Sequence, residues 1–173
     1  MRGAVAQTLS STRGNFMNLQ RIAVVSTLVF GSIVLSTAVQ AQGESGAKTL
    51  TSSEIKYGQS PTLPKGAKSV VLMGDPKQGA YVNRVQLAAN VKIMPHSHPT
   101  ENLVTVLSGT VLYGEGDKFD PAKLKAYPAG SFIVEKPNLP HYMTAKGPAV
   151  FQVSVPGKSS FDYVDPKDDP RKK

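Results

Sequence analysis

The chain has 173 residues, with 20 Lys and Arg against 12 Asp and Glu, a formal charge of +8, and neither Cys nor Trp. This length suits one ordinary domain, and 40% hydrophobic with 18% charged residues suits a packed core rather than a disordered chain. Without cysteine there are no disulfides, thiolate metal sites, cysteine nucleophiles or thiol-linked lipid and haem groups. Imidazole chemistry, if any, falls to the three histidines, His96, His98 and His141.

Ile22 to Val39 is apolar, rich in Ser and Thr, and uncharged; Arg2, Arg13 and Arg21 precede it, and no acidic residue comes before Glu44. Val39 and Ala41 stand at the −3 and −1 positions of a cut before Gln42. A basic start, an apolar middle and a small-residue exit describe a secretory signal peptide over residues 1–41. Met17 supplies an alternative start giving a leader of more usual length. The competing reading is an uncleaved anchor, since about 18 apolar residues can just span a bilayer; the Ser/Thr content and the cleavable exit favour cleavage. The expected mature protein is therefore exported, to the periplasm of a bacterium, with no stable membrane association. Its basic residues are scattered, and only Arg84 and Arg171 remain among the arginines. Nucleic-acid binding calls for a basic stripe, and none is present.

Residues 42–65 are polar and loop-like, with Pro61 and Pro64. Val70–Met73 then runs into the turn signal Gly74-Asp75-Pro76. Tyr81 to Leu87 alternates with a period of two, placing Tyr81, Asn83, Val85 and Leu87 on one face. Further short β-rich runs follow at Val91–Met94, Leu103–Leu107, Thr110–Tyr113, Ser131–Val134, His141–Ala145 and Ala149–Val155. Gly109, Gly114-Glu115-Gly116-Asp117, Pro128-Ala129-Gly130, Pro137-Asn138 and Gly147-Pro148 punctuate them. Short strands with regular Gly/Pro turns predict an all-β sandwich or barrel. We place that barrel at residues 66–165, with a polar tail at 166–173.

His96 and His98 are alternate residues, so on an extended segment both side chains point to one face. Pro95 and Pro99 flank them and bias the residue before each toward extended backbone. Two imidazoles at this spacing can share one metal ion, with a third ligand from elsewhere; His141, behind Pro140, opens another expected strand. The bland alternative is three surface histidines with no common role.

The stretch Asn90-VKIMPHSHPTENLVTVLSG-Thr110 resembles the first motif of the cupin family, and Pro128-AGSFIVEKPNLPHYM resembles the second. In the first, His96, His98 and Gly109 fall in their places; in the second, the Pro-x-Gly turn, Pro137 and the metal-binding His141 do. The resemblance spans about residues 66–170 and comes nearest to small, single-domain exported cupins. It implies an antiparallel double-stranded β-helix (a cupin or jelly-roll barrel) holding one divalent metal ion on His96, His98 and His141. It also implies a homodimer, for which the sequence offers no interface. Fe, Mn, Ni, Cu, Co and Zn all suit imidazole, so ligand type does not choose among them.

Two positions depart from the family pattern. Asn90 replaces the first glycine, which costs little because Asn tolerates left-handed backbone. Asn102 stands where the family has its glutamate ligand, and Glu101 is one residue away, which on a strand means the opposite face. Either a bulge turns Glu101 inward, or Asn102 serves as a weak carbonyl ligand or hydrogen-bonder, or the site is three histidines alone. We expect three histidines with Asn102 beside them, and therefore a site one negative charge short of the family pattern.

Met94, Val104, Val106 and Met143 share the metal-facing parity and give an apolar wall. Glu101 is a candidate general base, and Tyr113 and Tyr142 are candidate phenolic acids or hydrogen-bonders; as ordinary strand and rim residues they need no such role. The reading that follows is an exported metal-binding cupin acting on a small molecule; as an enzyme it suits a metal-dependent oxidoreductase of the dioxygenase kind, and metal-assisted isomerisation, hydrolysis or decarboxylation fit as well. The alternative is a non-catalytic cupin that captures a metal or small ligand.

Overall fold

The computed structural model describes residues 47–173; the leader read over residues 1–41 lies outside them. Eleven strands run in chain order: β1 (Gly58–Gln59), β2 (Ala67–Gly74), β3 (Tyr81–Leu87), β4 (Ile93–Ser97), β5 (Asn102–Ser108), β6 (Thr110–Glu115), β7 (Lys125–Pro128), β8 (Phe132–Glu135), β9 (His141–Ala145), β10 (Ala149–Val155) and β11 (Asp162–Tyr163). They form two sheets, one ordered β1-β2-β3-β10-β5-β8 and the other β11-β4-β9-β6-β7. Every pairing is antiparallel. The expected all-β double-stranded β-helix is the observed fold. Among the described residues no helix is long and apolar enough to cross a membrane.

The core lies between the inward faces of the two sheets. Val85 and Leu87 from β3, Val104 and Val106 from β5, and Phe151 from β10 meet Ile93, Val111, Met143 and Ala145 from the other sheet. Burial of each such side chain contributes roughly 1.5–3 kcal/mol relative to exposure. The alternation read over Tyr81–Leu87 holds at its far end, where Val85 and Leu87 are buried and Gln86 is exposed. The link from β5 to β6, which carries the chain from one sheet to the other, turns at Gly109, whose φ is +73° and where a Cβ would stand 2.4 Å from the Pro148 carbonyl oxygen. Only glycine satisfies both constraints.

β4 begins at Ile93 rather than Val91. Asn90 adopts φ 63°, the left-handed conformation its side chain tolerates, and its N–H donates to the Ala145 carbonyl at 2.8 Å. The Val91 N–H closes a turn onto Ala88, so the strand starts once that turn is complete. Within β4 the register to β9 slips: Ile93 opposes Met143 and His96 opposes His141, three residues advancing on one strand against two on the other. This is a β-bulge at Met94–Pro95, and it reverses the side-chain parity along the strand. Ile93 therefore takes the inward position expected of Met94, which is only half-buried.

The last segment folds back over the end of the barrel. β11 pairs with β4 opposite His96 and Ser97, and Tyr163 Oη donates to the Thr62 carbonyl at 2.9 Å. Two 3-10 turns follow at Pro166–Asp168 and Pro170–Lys172, capped by Asp165 and Asp169. Arg171 returns from the second turn to donate to the Phe161 carbonyl at 2.9 Å.

Candidate metal centre

His96 and His141 are direct neighbours across β4 and β9, and His98 follows immediately after β4. All three are buried, at 2%, 0% and 7% exposure for His96, His141 and His98. One ring nitrogen from each can be chosen so that all three lie within 4.8 Å of one another. The bulge lets Ile93, three residues before His96, share its inward face, because it re-aims the chain ahead of His96.

The three rings are oriented by the same device. His96 Nδ1 lies 2.8 Å from the Met94 carbonyl, His98 Nδ1 2.7 Å from that of Ser160, and His141 Nδ1 3.0 Å from that of Leu139. A carbonyl can only accept, so each neutral ring carries its proton on Nδ1 and leaves the Nε2 lone pair free. Such backbone anchors fix tautomer and ring orientation in metal-binding histidines. Burial, reinforced by the neighbouring His141 and His98, holds His96 well below the ordinary histidine range, and burial also lowers His98 and His141. All three therefore stand as neutral donors at neutral pH. Phe161 stacks on His96, with ring centroids 3.9 Å apart and planes 9° from parallel, which supports that ring from the side of the C-terminal segment.

Sequence reasoning left the site without an inward carboxylate; the structure supplies one from the opposite sheet. Glu135, the last residue of β8, is 3% exposed. Its Oε1 is 3.4 Å from His141 Nε2 and its Oε2 is 3.8 Å from His98 Nε2. Asn102 Nδ2 donates to Glu135 Oε2 at 3.1 Å. Burial pushes the Glu135 carboxyl up, against the opposing effects of His98 and Asn102. Despite these contacts, His141 Nε2 and Asn102 Oδ1 remain buried with no hydrogen-bond partner among the described residues. Unpaired buried polar atoms are costly. Three free imidazole nitrogens and a carboxylate around one point fit a divalent first-row ion.

The other expected site residues fall elsewhere. Asn102 is buried and inward, on the same parity as Val104 and Val106 of β5, and Glu101 is exposed just ahead of that strand. No bulge turns Glu101 inward, because β5 and β8 stay in simple register from Asn102 onward. Tyr113 is buried behind His141, its ring centroid 5.5 Å away, and its hydroxyl has no partner. Burial, then the charge of Glu135, raises the phenol far above its ordinary range, so it stays protonated. Tyr142 faces away from its neighbours His141 and Met143, and its hydroxyl donates to the Asp120 carbonyl at 3.2 Å.

A cavity of about 400 Å³ opens over His96, His98 and Glu135. Val85, Ile93, Met143, Val153 and Phe161 form its apolar wall, whereas Met94, Val104 and Val106 do not line it. The bulge explains the first of these. Lys77 and Arg171 also line it. The Arg171 guanidinium is already committed, with Nε 2.7 Å from Asp169 Oδ1 and Nη2 2.8 Å from Oδ2.

Residues 46–154 match the family model of the ChrR cupin-like domain. A germin-like protein, 3-1, of Oryza sativa subsp. japonica is 28% identical over 157 residues, covering 90% of this chain; the chain spans 66% of that relative's length. The polyketide cyclase RemF from Streptomyces resistomycificus superposes with a TM-score of 0.59 at 19% identity, over 73% of this chain and 92% of that one. A double-stranded β-helix protein from Klebsiella pneumoniae subsp. pneumoniae MGH 78578 gives 0.56 at 21% identity, over 72% and 98% of the two chains. A predicted oxalate decarboxylase from Thermotoga maritima gives 0.52 at 16% identity, over 64% and 99%. At these identities the solved structures share the fold.

Proposed function

The chain belongs to the family of ChrR cupin-like domains, and from that premise we propose that it is an exported, single-metal enzyme acting on a small molecule. The observation that carries this reading is the set of three Nδ1-to-carbonyl anchors, which leaves a free Nε2 lone pair on each of three buried, clustered imidazoles. His96, His98 and His141 would hold the ion. A bound divalent ion supplies Lewis acidity and, with three or four protein ligands, open coordination positions for water, dioxygen or a substrate oxygen.

The chain's own residues would bind and orient the substrate. Val85, Ile93, Met143, Val153 and Phe161 favour a largely apolar molecule that presents one oxygen donor to the centre. These apolar side chains carry no acid–base groups of their own; the titratable groups on the cavity stand at the centre and at Lys77, Tyr81 and Arg171. Oxidation by dioxygen asks least of such a wall, so we assign the reaction to that class. The same scarcity also supports the second reading, in which the cavity captures a ligand without turnover. Oxygen uptake by the metal-loaded protein with a panel of small phenols, enols and hydroxy acids separates them. Turnover that disappears in His96→Ala supports the enzyme; saturable binding with no oxygen consumed supports capture.

Export through cleavage after Ala41 remains part of the proposal, supported by the leader pattern. So does a homodimer, supported by Phe132 and Val134, which expose 57% and 41% of their surface on the edge strand β8. An apolar edge of that kind invites strand or face pairing.

A further inference from the structure

Among the described residues, the buried carboxylate of Glu135 has one hydrogen bond, from the uncharged Asn102, and no Lys or Arg in contact. Leaving an ion in that state costs several kcal/mol unless a cation compensates it. Its ion-pair partners among the described residues are the imidazoles of His98 and His141. The position is informative. Asn102 and Glu135 are directly opposed across β5 and β8, so their side chains share the inward face and occupy adjacent space. Two ligands each about 2.1 Å from one ion in a tetrahedral arrangement stand about 3.4 Å apart. The Glu135 oxygens are 3.4 and 3.8 Å from His141 Nε2 and His98 Nε2. Yet His141 Nε2 makes no hydrogen bond to the carboxylate it approaches, as expected of two donors aimed at a third point rather than at each other.

We propose that Glu135 is the carboxylate ligand of this centre, delivered from β8 in place of the β5 glutamate of the family pattern, and that Asn102 is a positioning residue rather than a ligand. The carboxylate has moved one strand across at constant register. Asn102 supports it: Nδ2 holds Oε2 and leaves Oε1 directed toward His141. The charge deficit expected from Asn102 is thereby cancelled, and the centre keeps three imidazoles and one carboxylate.

This inference rests on the metal-centre reading, and the test separates the two. Affinity for Co2+ is measured by chelator competition on the purified protein, with the visible absorption of the bound ion as a report on its ligands. The parent is expected to bind one equivalent. Glu135→Gln, close to isosteric and free of the buried charge, is expected to bind about a hundredfold more weakly with a changed spectrum. Asn102→Ala is expected to weaken binding about tenfold, the cost of losing an outer partner, while keeping the parent spectrum. Adding Asn102→Glu to Glu135→Gln is expected to recover most of the affinity, because it restores a carboxylate on the facing strand. If Glu135→Gln binds as tightly as the parent with the same spectrum, Glu135 is not a ligand and the three-histidine reading stands without it. If the parent binds no Co2+, the metal centre itself is refuted and the inference with it.

Discussion

Asn102 and Glu135 face each other in register across β5 and β8, joined by a 3.1 Å hydrogen bond from the Asn102 amide to a carboxylate that is 3% exposed. The pair has opposite consequences for stability with and without a cation. In the metal-free protein the carboxylate is a buried, under-compensated charge, and replacing it by an amide relieves that cost. Glu135→Gln is therefore expected to stabilise the chelator-treated protein by about 1 kcal/mol, a rise of a few degrees in Tm. With excess Co2+ the order reverses, because the variant binds the ion less tightly and gains less from it. Thermal unfolding with chelator and with Co2+ checks both halves.

The reason Glu135 is hard to see in the sequence is physical. Phe132-Ile133-Val134-Glu135 alternates, but two of its three apolar residues share the parity opposite to Glu135. Apolar content thus argues for Phe132 and Val134 inward and Glu135 outward, and the structure has the reverse. The bulge at Met94–Pro95 is equally silent: the period of two holds on either side of it, and only the pairing to β9 reveals the extra residue. Legible features were those fixed locally. Prolines kept His96 and His98 extended, Gly/Pro turns marked most of the strands, and Asn90 announced its left-handed turn. Residues read as a polar tail instead carry Asp169 and Arg171, which hold the segment containing Phe161 over the site. Nothing in the composition of Pro166–Lys173 separates that role from a solvated end.

Acid should destabilise the metal-free protein well above the range where surface carboxylates titrate. Burial holds His96, His98 and His141 below the ordinary histidine range. Below about pH 6.5 the unfolded chain takes up protons that the folded chain refuses. Stability present at neutral pH is therefore lost as pH falls toward the folded values of these imidazoles. Glu135 acts in the other sense: its raised carboxyl binds a proton more readily in the folded state, so it contributes stability at low pH that is lost as pH rises through its folded value. Three imidazoles act in the first sense and one carboxyl in the second. Tm in the presence of chelator is expected to fall from about pH 7 to about pH 5, and a rise over that interval would contradict the assignment.

Phe161 links the C-terminal segment to the centre through its 3.9 Å stack on His96. It is half-buried, so Phe161→Ala should cost about 1–2 kcal/mol. Its larger effect should fall on the site, where His96 loses one wall and Co2+ affinity drops about tenfold. Phe161→Leu fills much of the volume without the ring face and should recover the stability more than the affinity. Denaturant unfolding and chelator competition on the two variants measure these separately.

The leader reading makes a chemical prediction independent of the site. Amino-terminal sequencing of the protein recovered from a cell envelope fraction should begin at Gln42. Recovery of the uncut chain in the membrane fraction would favour the anchor alternative.

The central claim is a metal centre built on three histidines, and elemental analysis of the purified protein beside a His96→Ala/His98→Ala/His141→Ala variant tests it most directly. The account predicts about one equivalent of a divalent first-row metal per parent chain and none in the variant. A parent that stays empty after reconstitution with Fe, Mn, Ni, Cu, Co and Zn would contradict it.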